Sequence, residues 1–419
     1  MNQYEEICKD MGLRAKAAAF ELAQLDQGTL DAALLAIADA VEAQTDEIMA
    51  ANKQDLDKSG DYHVPQTMID RLTLTPNRIA QMAEGVRQVG ALESPVGSVM
   101  ETITRPNGLT IEKRAVPFGV IGIIFEARPN VTIDAGVLCL KTGNATILRG
   151  GKEAFHTNQI IVSIMRNTLE SLGINGDAIQ LVEVLDRDMV GVLLQQRKYI
   201  DVIIPRGGAG LIRRVVEESS IPVIETGSGV CHTFVDEYAN LDMALDIAIN
   251  AKVQRPSVCN AMETLLVHQA VAAEFLPRLD KGLQEYGVHI HGDEAVAQYM
   301  KNTIPLTETS FNTEYNDLDL NVRIVENLEE AIEHVNFYTT HHSEAIITDE
   351  PMRATVFMNL VDCSTVYHNA STRFTDGFEF GFGAEIGIST QKLHARGPMG
   401  LQALTSYKYF VFGEGQVRK

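Results

Sequence analysis

The stretch QRPSVCNAMETLLVH, residues 254–268, holds one cysteine, Cys259, between a Pro-Ser break and an apolar run that predicts a buried strand. A cysteine at the start of a strand is either a packing residue or a nucleophile. Cys259 differs from the other cysteines because Arg255 precedes it by four residues and Asn260 follows it directly. A nearby guanidinium favours the thiolate, and the cysteine N–H can help to hold an oxyanion. We therefore interpret Cys259 as a candidate nucleophile that attacks a carbonyl carbon.

The remaining cysteines and the histidines do not indicate a metal site. Five cysteines are scattered without CxxC spacing, which favours reduced thiols in a cytoplasmic protein over a disulfide framework or a zinc site. The histidines include the pair His341–His342, but no HExxH motif is present. We expect no metal in this protein.

Charge and length limit the classes of function. Acidic residues outnumber basic ones by 56 to 35, which gives a net charge of −21 and argues against nucleic acid or an anionic membrane as a partner. A local basic pocket for a phosphorylated small molecule remains compatible with this charge. The first residues lack the layout of a signal peptide, and no apolar run is long enough to span a bilayer. A chain of 419 residues predicts two or three domains.

The elements that must position Cys259 alternate between short apolar runs and helical patterns. This βαβ rhythm predicts an α/β fold with two doubly wound parallel sheets, joined near residue 228. The predicted strands of the first sheet are VIGIIFE, ATILR, AIQLVEV, YIDVIIP and IPVIE. Those of the second sheet are HTFVD, METLLVH, LNVRIV, EAIIT and FMNLVD.

The two ends of the chain carry other patterns. Apolar residues from Leu30 to Ile48 fall on a single helical face, and a second helix is bounded by Thr75-Pro76 and Gly90. Segments 99–104 and 109–114 flank Pro-Asn-Gly and predict a hairpin, whose polar strands fit either a subunit arm or a plain surface hairpin. The tail LTSYKYFVFGEG predicts a final strand that joins a sheet formed elsewhere in the chain.

Two turns in the first sheet could contact a dinucleotide. The strand YIDVIIP leads into RGGAG, where Gly207, Gly208 and Gly210 would let a pyrophosphate approach a helix N-terminus, although such turns also occur without ligands. After ATILR, Arg149 and Lys152 stand where an adenosine ribose often lies. Two cations there would favour the 2′-phosphate of NADP, or they are solvated surface residues.

The run IETGSGVCHTFVD followed by QRPSVCNAMETLLVH resembles the aldehyde dehydrogenase superfamily, in which a glutamate and the catalytic cysteine lie on consecutive elements. Glu225 and Cys259 are 34 residues apart, which fits that framework. The strings EARPN, CNAMETLLVH and HARGPMGL are long and unusual, and the matching stretches cover most of residues 116–410. More narrowly, they resemble the branch of the superfamily that reduces γ-glutamyl phosphate in proline biosynthesis.

The resemblance implies a domain plan and a cofactor. Residues 1–98 and 116–228 would form the NADP-binding domain, and residues 229–401 the catalytic domain. Residues 99–115 and 402–419 would form an oligomerisation arm, which decides between the two interpretations of the hairpin. The implied reaction converts γ-glutamyl phosphate and NADPH into glutamate 5-semialdehyde and phosphate through a thioester on Cys259.

The resemblance also implies roles for single residues. Asn130 would complete the oxyanion site with the Cys259 N–H, although an ungapped count from Thr142 places Glu126 at the superfamily asparagine. Glu225 matches the base of hydrolytic aldehyde dehydrogenases, but a reductase that releases phosphate needs no activated water, so a cofactor-side or structural role is favoured. Glu314 matches the glutamate that holds the nicotinamide ribose, or it is a surface carboxylate.

The substrate carries a phosphate, an α-carboxylate and an α-ammonium group. Arg255 is a candidate for the phosphate and Arg373 for the carboxylate, and each could instead form an ion pair between domains. His341 and His342 are interpreted as loop residues near the site. A hydrolytic NAD(P)-dependent aldehyde dehydrogenase is the alternative function. We expect a homo-oligomer, and an association with glutamate 5-kinase, which makes the acyl phosphate, stays open.

Overall fold

The chain divides into two compact units. The computed structural model describes residues 3–62, 66–126 and 128–418. The first unit comprises Met1–Glu225, Gly381–Gly387 and Met399–Lys419, and the second comprises Thr226–Phe380 and Ile388–Pro398.

The first unit contains nine helices and seven strands in its described residues. The helices are Gln3–Leu22 (α1), Gln27–Ala43 (α2), Thr45–Asp57 (α3), Gln66–Leu72 (α4), Pro76–Ala91 (α5), Pro129–Lys141 (α6), Phe155–Ser171 (α7), Asp188–Leu193 (α8) and Ala209–Glu218 (α9). The strands are Val99–Thr104 (β1), Thr110–Pro117 (β2), Val120–Phe125 (β3), Ala145–Arg149 (β4), Ile179–Leu181 (β5), Val202–Arg206 (β6) and, from the tail, Thr405–Phe412 (β16).

The N-terminal helices are placed as the sequence predicts, with one correction. Thr75 caps α5 by accepting the Arg78 N–H, and the helix ends one residue after Gly90. The predicted continuous helix from Leu30 to Ile48 is wrong, because the chain turns at Gln44 and α3 starts afresh at Thr45. The seven-residue interval in the apolar pattern spans this turn, so both helices still bury their apolar residues.

Four parallel strands form the main sheet of the first unit, in the order β5-β4-β3-β6. β4 and β6 lie on opposite sides of β3, so the strand order reverses between β3 and β6. Open parallel sheets commonly bind ligands at such a point. The prediction of a strand at IPVIE is wrong, since only Val223 bridges to Ile203. Pro222 in this segment has no N–H to donate to a ladder.

A separate three-stranded antiparallel sheet, in the order β1-β2-β16, confirms the predicted hairpin and the predicted final strand. The tail pairs with β2 along its whole length, from Thr405 opposite Pro117 to Phe412 opposite Thr110. Met100, Tyr409 and Val411 on this sheet are all more than half exposed.

The second unit is built on one seven-stranded parallel sheet. Its helices are Leu241–Val253 (α10), Gln269–Gln284 (α11), Glu294–Ala297 (α12), Leu328–Tyr338 (α13) and Pro351–Leu360 (α14). Its strands are Cys231–Val235 (β7), Met262–His268 (β8), His289–Gly292 (β9), Ile304–Pro305 (β10), Asp319–Val325 (β11), Ser343–Ile347 (β12), Thr365–His368 (β13), Ile388–Ser389 (β14) and Gly397–Pro398 (β15). The order of the large sheet is β10-β9-β11-β8-β7-β12-β13, while β14 and β15 form a separate pair.

One strand prediction for the second unit fails. In FMNLVD, residues 357–362, the first four residues form the last part of helix α14, which ends at Leu360, and no strand forms. Glu350 caps this helix, Pro351 starts it, and Phe357 packs into the core beside Phe234 and Leu266. The strand lies further on, at β13. The fold class is confirmed, with two parallel-sheet α/β units and a small antiparallel sheet. No helix in the described residues is long and apolar enough to cross a membrane.

Candidate active site

Cys259 lies on a turn at the amino-terminal edge of the large sheet. It precedes β8 by three residues, and β7 begins beside it, with Cys231 opposite Met262. Its residue is partly exposed, whereas Cys8, Cys139 and Cys231 are buried. Burial raises the pKa of Cys8 to about 11 and that of Cys139 to about 12, so neither supplies a thiolate near neutral pH. Of the five cysteines, all of which the structure describes, only Cys259 combines access with a polar setting.

The turn around Cys259 is packed directly against Gly229. A Cβ on Gly229 would lie 1.4 Å from the Cys259 carbonyl oxygen and 2.9 Å from its Cα. Only glycine therefore allows the two backbones to pass so closely. The Gly229 N–H donates to Glu314 Oε1 at 2.9 Å, so the candidate ribose-binding carboxylate also holds the strand beneath the cysteine.

Asn260 ties the cysteine turn to a distant segment. Its Nδ2 donates to the carbonyl oxygens of Thr375 at 2.9 Å and Arg373 at 3.3 Å. In return, Thr372 Oγ1 donates to the Asn260 carbonyl at 2.7 Å. Because Asn260 is buried, these bonds fix segment 371–376 against the turn that carries Cys259.

The two candidate substrate arginines are brought together beside the cysteine. Arg373 Nε donates to Gln254 Oε1 at 2.9 Å, and Gln254 directly precedes Arg255. Burial lowers the pKa of Arg373, with Arg255 acting in the same direction, while Cys259 and Asp376 oppose the shift. This corner of the second unit therefore has an excess of positive charge next to the thiol.

Cys231 supports the turn from beneath and is not a second nucleophile. Its thiol donates to the Cys259 carbonyl at 3.2 Å, and the His342 Nδ1 lies 3.9 Å from its sulfur. Burial raises the pKa of Cys231 well above its usual range, so the sulfur stays protonated and can donate. His342 is buried and His341 is exposed on the preceding loop, so of the two histidines only His342 reaches this network.

In the first unit, the glycine-rich turn meets a carboxylate at the point between β3 and β6. Gly208 is the N-cap of α9, and its N–H donates to Glu126 Oε2 at 2.8 Å. A Cβ on Gly207 would lie 2.7 Å from the same oxygen, whereas one on Gly210 would meet nothing within 4 Å. Glu126 thus positions the turn from the end of β3.

The second predicted cofactor contact is a buried arginine. Arg149 is 9% exposed, and its guanidinium donates to the carbonyls of Gly150 at 2.7 Å and Leu185 at 3.1 Å. Its Nε has no hydrogen-bond partner among the described residues. Burial lowers the pKa of Arg149, and Arg187 and Arg214 act in the same direction, against Glu153. Positive charge concentrated at the carboxyl end of β4 fits an anionic ligand.

The other predicted site residues fall in the first unit. Lys152 lies 4.4 Å from the centre of the Tyr62 ring. Asn130 is on the first turn of α6, where its Nδ2 donates to Asp134 at 3.2 Å. Ala127, in the same EARPN string, lies outside the described residues. Glu225 is the last residue of the first of the three segments that form this unit, and it is partly buried.

Residue types and spacing do not reveal the residues that support the cysteine. Gly229 is one of several glycines in the segment around TGSGV, and Asn260 stands out in the sequence only as a neighbour of Cys259. Their partners are remote in sequence, so no local spacing could have identified them. Among the described residues, no group of three or more His, Cys, Asp or Glu side chains is arranged to hold a metal ion.

A model of the aldehyde dehydrogenase family matches residues 4–298. This chain belongs to the aldehyde dehydrogenase family, whose membership implies a nicotinamide cofactor and a small-molecule substrate.

The particular branch follows from full-length relatives. A protein named gamma-glutamyl phosphate reductase from Thermobifida fusca is 53% identical over 418 residues, which cover 100% of both chains. One of the same name from Moorella thermoacetica is 55% identical and covers 97% of this chain and 98% of its own. The crystal structure of gamma-glutamyl phosphate reductase from Thermotoga maritima is 43% identical, with a TM-score of 0.95, and covers 98% of this chain and 100% of its own. The chain thus groups with the γ-glutamyl phosphate reductases.

Proposed function

We propose that this enzyme reduces γ-glutamyl phosphate to glutamate 5-semialdehyde and phosphate with NADPH, in the cytoplasm, as a step of proline biosynthesis. The names of the full-length relatives support the reaction. The observation that carries the proposal is the partly exposed Cys259, held between Gly229 and Asn260 with Arg255 and Arg373 beside it.

The first chemical step uses Cys259 alone as the attacking group. Its thiolate adds to the acyl carbon, a C–S bond forms, and the C–O bond to phosphate breaks, which leaves a thioester and inorganic phosphate. Phosphate is a good leaving group, so no acid is required. Arg255 neutralises the phosphate as it departs, and Arg373 holds the α-carboxylate. The Cys259 N–H and the Asn130 amide bind the oxyanion in this proposal.

The cofactor binds at the carboxyl edge of the first sheet. Arg149 and Lys152 hold the 2′-phosphate, which makes NADP the preferred dinucleotide, and Gly207, Gly208 and Gly210 receive the pyrophosphate at the start of α9. When bound, NADPH supplies the hydride that reduces the thioester. Cys259 is then released as a thiolate with the aldehyde.

The two glutamates have supporting roles. Glu314 holds the nicotinamide ribose with the oxygen that does not bind Gly229, because Oε1 already accepts the Gly229 N–H. Glu225 is a cofactor-side or structural residue, since activated water would destroy the thioester.

The proposal includes assembly into a homo-oligomer. The sheet of β1, β2 and β16 presents Met100, Tyr409 and Val411, each more than half exposed, and acts as the arm of a homo-oligomer. An association with glutamate 5-kinase would shorten the lifetime of the unstable acyl phosphate in water.

The thioester itself provides the test. γ-Glutamyl phosphate is generated in place from glutamate and ATP by a kinase, and NADPH is left out so that the acyl-enzyme accumulates. Mass spectrometry of the digested enzyme should find a glutamyl adduct on the peptide that contains Cys259, and none in Cys259→Ser. An adduct on another cysteine, or no adduct at all, would contradict the proposal.

A further inference from the structure

The segment Ser371–Asp376 is fixed to the turn of Cys259 tightly enough to position a substrate. Asn260 donates to the carbonyls of Arg373 and Thr375, and Thr372 donates to the Asn260 carbonyl. Ser371, Thr372 and Thr375 are buried, so this segment cannot move without breaking packed contacts. Side chains that project from it therefore keep a constant relation to the thiol.

The segment carries two opposite charges three residues apart. Arg373 is the proposed partner of the substrate carboxylate, and Asp376 follows it on the same turn. Burial and Arg255 lower the pKa of Arg373, and the charge of Asp376 acts in the opposite direction, so the two side chains are close enough to interact electrostatically. A cation and an anion at this spacing suit a zwitterionic group better than a simple carboxylate.

The Asp376 carboxylate is held in place by hydrogen bonds to one of its two oxygens. Its Oδ1 accepts the N–H groups of Phe378 at 2.9 Å and Glu379 at 3.4 Å, which fixes the side chain on its own turn. Its Oδ2 makes no hydrogen bond with any residue that the structure describes. One carboxylate oxygen on the segment that is held against the Cys259 turn is thus available to accept a hydrogen bond from a ligand.

The substrate has a group that no other assignment explains. γ-Glutamyl phosphate bears an α-carboxylate and an α-ammonium on one carbon, and an ammonium requires an acceptor where a guanidinium supplies only donors. We infer that Asp376 binds the α-ammonium group through Oδ2 and makes the enzyme select α-amino acid substrates. This inference rests on the proposed function, because it names how the same site recognises its substrate.

The test compares two aldehydes that differ only in the amino group. Wild type and Asp376→Asn oxidise glutamate 5-semialdehyde and 5-oxopentanoate with NADP in phosphate buffer. The asparagine keeps an Oδ1 that accepts from Phe378 and Glu379, so the turn is retained. Loss of one charge-assisted hydrogen bond should lower kcat/KM on glutamate 5-semialdehyde by about 10- to 100-fold, mainly through KM, and leave 5-oxopentanoate unchanged. Glu379→Gln, on the same turn but exposed, should change neither substrate.

A binding measurement keeps this inference separate from the proposed reaction. Protection of Cys259 against iodoacetamide by glutamate and by glutarate reports affinity without turnover. Equal losses on both aldehydes in Asp376→Asn, or no loss on either, would overturn the inference and reduce Asp376 to a cap. If wild type turned over neither aldehyde, but glutamate protected it better than glutarate and Asp376→Asn abolished that difference, the reaction would fall and the inference would stand.

Discussion

At the scale of single residues, the position of Cys259 depends on buried side chains that hold its turn in place. The Cys231 thiol donates to the Cys259 carbonyl, and Asn260 holds the following peptide. Cys259 could be predicted from the sequence because an arginine near a cysteine favours the reactive thiolate. It could not identify the bonds of Asn260, whose partners lie more than 110 residues away. Residue type predicts a reacting atom, whereas its supports depend on tertiary contacts.

Asn260→Ala tests the support of the turn. The change leaves the carbonyls of Arg373 and Thr375 without their donor, while the Thr372 hydroxyl keeps its bond to the backbone carbonyl of residue 260, so unfolding should become easier by about 1–3 kcal/mol. The larger effect should be on KM, because Arg373 loses its fixed position. Steady-state kinetics and urea unfolding measure the two effects. A variant that loses stability but keeps the wild-type KM would show that the segment does not bind substrate.

At the scale of elements, strands and caps were predictable where the local signal was complete. Thr75 and Pro76 mark the start of α5 by their residue types, and Pro-Asn-Gly marks the turn of the hairpin in the same way. FMNLVD failed because its apolar residues suit a strand as well as the end of a helix, and the cap at Glu350 lies outside the run. The Cys259 turn packs against the start of β7, which lies about 30 residues earlier in the chain, so no local sequence pattern predicts this contact.

Gly229→Ala tests the packing of the Cys259 turn against the start of β7. The new Cβ would overlap the Cys259 carbonyl, so the cysteine turn or β7 must shift. Misplacement of a nucleophile by about 1 Å commonly costs on the order of 100-fold in rate, and we expect kcat to fall by at least this factor. Gly85→Ala is the control, since a Cβ there in helix α5 meets nothing within 4 Å. A fully active Gly229→Ala enzyme would mean that the turn tolerates displacement.

Gly210→Ala tests the cofactor turn. The added methyl group would have no protein atom within 4 Å and would lie in the first turn of α9. The stability of the variant should therefore equal or slightly exceed that of wild type. The proposed pyrophosphate would meet it, which should raise KM for NADPH by about tenfold. Kinetics with varied NADPH, together with a thermal melt, separate the two effects. An unchanged KM would remove Gly210 from the cofactor site.

At the scale of the whole molecule, stability should depend on pH through Asp134 in α6. Burial raises the pKa of this carboxyl from 3.8 to about 6, against the hydrogen bond from Asn130 and the charge of Arg206. The folded state then holds a proton that the unfolded state has released. This contribution is present below pH 4 and is lost as the pH rises through about 6.

Asp134→Asn removes that dependence. Its free energy of unfolding relative to wild type should increase between pH 4 and pH 7, as followed by urea denaturation at several pH values. Asp26→Asn serves as a contrast of opposite sign, because hydrogen bonds from Thr29 lower the pKa of Asp26. Its wild-type contribution is lost as the pH falls. Parallel profiles for both variants would show that Asp134 is ionised in the folded protein.

At the level of the whole chain, long strings such as CNAMETLLVH predicted the family and its branch, and the net charge of −21 argues against a nucleic-acid partner. The choice between water and phosphate as the second acceptor depends on whether Glu225 activates water, and its residue type alone does not decide this.

The phosphate requirement of the reverse reaction shows whether phosphate or water receives the acyl group from Cys259. NADP reduction is followed with glutamate 5-semialdehyde in phosphate buffer and again with phosphate removed. We expect a rate only with phosphate, because phosphate is the acceptor of the acyl group on Cys259. An equal rate without phosphate would rule out the proposed reaction, since water would then be the acceptor and Glu225 the base.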